Sequence, residues 1–70
     1  MNEYTRNKIE ALMGILIELG LTKDQVCGVC SMMEKEEMVI EIAKQLKAKD
    51  FKLTPQETLN ICGKVIMENQ

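Results

Sequence analysis

Leu21-Thr22-Lys23-Asp24-Gln25 and Leu53-Thr54-Pro55-Gln56-Glu57 are one phrase written twice. Each copy places an apolar residue before a Thr, and an amide or acid three residues after it. That pattern is a capping box: the Thr hydroxyl and the later side chain satisfy the free N–H groups at a helix start reciprocally. Pro55 strengthens the second copy, because a proline at the first helical position gives up an N–H that has no partner there anyway. The copies stay in step further on, with Val29 matching Ile61 and Cys30 matching Cys62. Two helices therefore begin at about residues 23 and 55, and the rest of the chain divides around them.

Upstream of the first box, Ile9, Leu12, Met13, Leu16 and Leu19 repeat at helical spacing and predict a helix over about 4–19. Ile15 and Ile17 widen its apolar arc to about 200°, more than one core-facing stripe requires. Gly20 ends it as a residue free to take positive φ. The second helix covers about 23–33, with Val26, Val29, Cys30 and Met33 inward.

No Pro or Gly marks the next boundary. If 23–48 were one helix, Val26, Cys30 and Met33 would face one way and Val39, Ile42 and Leu46 nearly the opposite way, at 100° per residue. A break within Ser31–Glu36 returns both sets to one core, and Ser31 with Glu34 is the expected cap of a third helix over 34–48. Its early Glu34, Glu36 and Glu37 and late Lys44, Lys47 and Lys49 suit the helix dipole. The alternative is one long helix serving two cores in a domain-swapped dimer. The fourth helix covers about 55–67 and buries Leu59, Cys62, Val65 and Ile66, while Phe51 is expected to plug the core from the preceding loop. The expected fold is all-α, a bundle of four short helices forming one domain over 1–70.

Composition narrows the function. The chain has 70 residues, 46% of them hydrophobic, with six Met, one Phe, one Tyr and no Trp. A body this small buries only about 60% of its unfolded surface. Apolar content this high points to a partner covering some of it, with a homodimer as the simplest case. The net charge of −2 and mixed charge pattern give no pull toward nucleic acid or anionic lipid. The candidate third helix opens on glutamates rather than on side chains that read base edges. No membrane span is expected, since Leu12–Ile17 is too short to cross a bilayer. The polar stretch Met1–Arg6 is unlike a secretory leader, and an odd count of three Cys fits free thiols in the cytoplasm.

The sequence shows no equipped catalytic site. It contains no His, the commonest general base near neutral pH. Cys27-Gly28-Val29-Cys30 is a CxxC, but Cys27 lies more than a turn past its helix start, where the dipole no longer lowers a thiol pKa. Cys62 adds one thiolate where a structural zinc site takes four Cys or His ligands. No catalytic residue, metal or cofactor is expected.

The stretch Leu16–Val26 resembles the first helix and loop of ubiquitin-associated domains. Leu19-Gly20-Leu21 occupies the position of that family's Met-Gly-Phe/Tyr loop, with Leu on both sides of the glycine. The resemblance covers about residues 9–46 and leaves the fourth helix outside it. It implies a three-helix core and a protein-binding surface at Leu19, Gly20 and Leu21 and at the end of the third helix. Ile15 and Ile17 join that candidate surface through the wide arc of the first helix. The resulting expectation is a small non-enzymatic protein-interaction or regulatory module that self-associates. A mobile-element accessory or inhibitor protein, and a thiol-based metal or redox protein, are the alternatives.

Overall fold

A computed structural model describes residues 2–70. Among them the chain forms four helices and no strand: α1 (Glu3–Glu18), α2 (Lys23–Ser31), α3 (Glu36–Ala48) and α4 (Pro55–Glu68). α1 pairs with α2, α3 pairs with α4, and the two hairpins meet along α1 and α3. The radius of gyration of 10.9 Å is that of a compact chain of this length, about 11 Å.

Both capping boxes form. Thr22 accepts from the Gln25 amide at 3.2 Å and the Gln25 side chain accepts from the Thr22 amide at 2.9 Å. Thr54 and Glu57 repeat the exchange at 3.1 and 2.8 Å. The turn before each box is also shared. Gly20, at φ +95°, donates to the Ile17 carbonyl, and Leu21 donates to the Leu16 carbonyl. After α3, Asp50 donates to the Lys47 carbonyl and Phe51 to the Leu46 carbonyl. These are two Schellman turns, each satisfying carbonyls that the helix end would leave open. The second turn uses Asp50 (φ 54°) in the position glycine usually fills, followed by Phe51 at φ 56°.

The core is aliphatic and sulfur-rich. Leu12 and Leu16 from α1, Val26 from α2, Met38, Ile42 and Leu46 from α3, and Cys62 and Val65 from α4 are almost wholly enclosed. Thr58 joins them in place of the expected Leu59, which is only half-buried. Its hydroxyl donates to the Thr54 carbonyl at 2.9 Å, so this polar atom enters the core with its hydrogen bond made.

The break between the second and third helices is real, and its chemistry differs from the expected cap. α2 stops at Ser31, earlier than residue 33, and α3 starts at Glu36. Ser31 does not cap α3. It closes α2, and its hydroxyl donates back to the Gly28 carbonyl at 2.8 Å. Lys35 is the N-cap of α3 and makes no side-chain cap bond there. Two other contacts hold the connection. Met33 is buried in the core, and the Lys35 ammonium donates to the Asn69 carbonyl at 3.0 Å. A long helix is thereby replaced by a pinned turn between two helices that serve one core. Phe51 does not plug that core. It is 41% exposed, because the left-handed backbone of the second Schellman turn directs it over the outer surface of α1.

Candidate interaction surface

The two hairpins meet imperfectly on one side, and the residues there explain why. Along α1, Lys8, Ala11 and Ile15 follow one another at helical spacing; along α3, Ile40, Ala43, Lys44 and Lys47 do the same. Ala11 and Ala43 are too short to close the gap between the helices. An open apolar trough of about 420 Å³ results. It continues past Ala11 and Ile15 into a second depression bounded by Gly14, Leu19 and Phe51. Ile40 stands on its border with 47% of its surface exposed.

Charge surrounds this apolar strip unevenly. Lys44 and Lys47 border the trough toward the end of α3, and Lys8 borders it on α1. The Lys8 ammonium is 3.3 Å from Glu36 Oε1 and lies over the Tyr4 ring at 4.3 Å from its centroid. Glu36 and Glu37 occupy the start of α3. The strip therefore runs from acidic to apolar to basic along one helix.

The residues expected at a binding surface separate in three dimensions. Ile15 and Leu19 come together in the trough and its extension. Leu21 points inward at 5% exposure. Gly20 lies in the α1–α2 turn, where a Cβ would stand 2.9 Å from Pro55 Cγ. Ile17 is 58% exposed but lies outside the trough, two residues and thus about 200° around the helix from Ile15. Sequence reasoning did not single out Ile40, and it assigned Ala43 to the buried stripe of α3 and Phe51 to the core. The available signal was Ile40 itself, an isoleucine off the Val39-Ile42-Leu46 stripe and set between Glu37 and Lys44.

The thiols form a graded set: Cys27 exposed, Cys30 half-buried and Cys62 buried. Burial, helped by the neighbouring Cys30, pushes the Cys62 thiol up to about 11. Burial also raises Cys30, with Cys27 adding to it. Both therefore stay protonated near neutral pH, which is the unreactive, non-ligating form. Among the described residues no group of three His, Cys, Asp or Glu side chains is disposed to hold a metal ion. No buried side-chain nitrogen or oxygen there lacks a hydrogen-bond partner, and none of the helices among the described residues is long and apolar enough to cross a membrane.

No family model, curated protein or solved structure matches this chain.

Proposed function

We propose that this chain is a non-enzymatic protein-interaction module and that its working face is the trough between α1 and α3. The observation that carries the reading is Ile40. Its side chain is half exposed beside an apolar trough whose rim carries lysines, in a domain that already has a complete core. Isolated surface isoleucines need no explanation, but one continuous with an apolar depression marks a contact site. The reading also accommodates Cys30 and Cys62, which pack rather than react. The module acts without a cofactor, in a compartment reducing enough to keep three thiols free, and its partner is protein rather than nucleic acid.

The test is a photo-crosslinking residue placed at Ile40 or, for comparison, at the exposed polar position Gln56 on α4, each in the native cell. Protein adducts that form at position 40 and not at 56 are expected. Equal yields at both positions, or none at 40, refute the reading.

A further inference from the structure

The geometry points to a second copy of this chain as the occupant of the trough, docked with its α3 antiparallel to α3 of the first across a two-fold axis. This inference rests on the reading of the α1/α3 face as an interaction surface, and it follows from how the charges are spaced. Measured from the direction of Ile40 at 100° per residue, Glu36, Glu37, Ala43, Lys44 and Lys47 all fall within about 60°. They share one strip. Along the axis, at 1.5 Å per residue, Glu36 lies about 6 Å before Ile40 and Lys47 about 10 Å after it.

A strip that is acidic at one end and basic at the other distinguishes the two ways of laying it on itself. Parallel copies would stack acid on acid and base on base. Antiparallel copies set each acidic end on a basic end, with the apolar middle shared. A single register does both: with Glu36 level with the partner copy's Lys47, Ile40 is level with the partner copy's Ala43. The protruding side chain of each copy then enters the trough that the other's short alanine leaves open. Such reciprocal pairing, in which a knob and a hole lie on the same face, is the requirement of a closed two-fold dimer. Among the described residues, Glu36 is held through Oε1 alone, by Lys8, and neither its Oε2 nor Glu37 is engaged in a side-chain hydrogen bond or ion pair.

The dimer is of the weak class. A standard interface takes about 800 Å² from each partner, roughly a sixth of this chain's 4750 Å² surface. Only the middle of the strip is apolar, and partly exposed ion pairs add little. A dissociation constant on the order of 10–100 µM is expected, because few apolar side chains are buried and the exposed ion pairs add little, while area alone does not set affinity.

Sedimentation of the purified full chain from 5 µM to 1 mM in low salt tests this directly. Twice the monomer mass of 8.0 kDa is expected at the upper concentrations, with several-fold weakening as salt is raised and the charges are screened. Ile40→Glu abolishes association. The pair Glu36→Lys, Glu37→Lys makes the strip wholly basic, and the pair Lys44→Glu, Lys47→Glu makes it wholly acidic. Each alone weakens self-association at least about tenfold, and mixing the two in equal amounts restores a dimer. A wild-type chain that stays monomeric at 1 mM overturns the inference. So does a dimer indifferent to Ile40→Glu, or a charge-reversed mixture that does not associate. Circular dichroism checks that each variant is helical; should a charge-reversed variant unfold, the wild-type mass, its salt response and Ile40→Glu still decide. A monomer that nonetheless forms selective adducts at position 40 in the cell overturns only the self-docking and leaves the contact face standing.

Discussion

Replacing Gly20 by Ala and Gly63 by Ala makes the same chemical change with opposite expected signs. Gly20 sits at φ +95°, in the turn where its own N–H and that of Leu21 close the end of α1. An L-residue in left-handed backbone costs about 1–2 kcal/mol. The added Cβ would also stand 2.9 Å from Pro55 Cγ, a carbon held in a ring at the start of α4. Crowding of that kind adds about 1 kcal/mol or more. Gly20→Ala is therefore expected to destabilise the fold by about 2–3 kcal/mol. Gly63 lies inside α4, where a Cβ meets nothing within 4 Å. Ala there gains about 0.8–1 kcal/mol of helix propensity. Urea unfolding followed at 222 nm measures both. In a domain of this size each kcal/mol moves Tm by about 4–8 °C, so the two variants should melt more than 10 °C apart. Combining Gly20→Ala with Pro55→Ala separates the causes. The double variant recovers the part due to the ring contact, a coupling of about 1 kcal/mol, and keeps the part due to backbone strain. A Gly20→Ala chain as stable as wild type, or more stable, refutes the left-handed turn and its contact with α4.

The Glu57 carboxylate accepts from the Thr54 amide, and that bond, followed by the Thr54 hydroxyl, holds its pKa below the ordinary value. A depressed folded-state pKa contributes stability above the unfolded value of 4.5, and this contribution is lost as pH falls through the folded value. Wild type should therefore lose stability below about pH 4.5 more steeply than Glu57→Gln in a pH series of urea melts; parallel profiles count against the box. Cys62 carries the opposite sign. Its raised folded-state pKa favours the folded chain fully below 9.0, and that advantage fades as pH climbs toward about 11. Thiol titration of the native chain near pH 8 should label Cys27 fast, Cys30 slowly and Cys62 only on unfolding; rapid labelling of all three contradicts the packing. Asp50→Gly should stabilise the chain by about 0.5–1 kcal/mol, because glycine takes the left-handed position without strain and the ion pair it removes, to Lys52 at 3.8 Å, is exposed. A loss in the same urea assay would mean that Asp50 holds the turn by some other interaction.

The readings that succeeded from sequence share one property. They concern groups three or four residues apart. The Thr22–Gln25 and Thr54–Glu57 exchanges, the stop at Gly20 and the inward stripe of α3 are local, so the order of residues is enough to state them. Ser31 shows where local reasoning becomes ambiguous. A serine followed three residues later by a glutamate has the pattern of a cap, but the same hydroxyl can bond backward to close the helix it ends, and here it does. The burial of Met33 and the reach of Lys35 to Asn69 select between the two, and both involve other elements. Phe51 misled for a different reason, a conflict between two local signals. Hydrophobicity argues for burial, while the turn geometry that directs the side chain outward depends on carbonyls at Leu46 and Lys47.

Four helices, the capped starts of α2 and α4 and most of the inward faces were thus present in the order of the residues, because hydrogen bonds and side-chain periodicity within a helix act over a single turn. The trough was not. Ala11 and Ala43 are thirty-two positions apart, and neither is unusual in its own helix. Their shortness becomes a groove only when α1 and α3 lie side by side, and Ile40 becomes a protrusion only beside that groove. The distance between two helix axes is set by every side chain packed between them at once, and no stretch of one helix contains that sum.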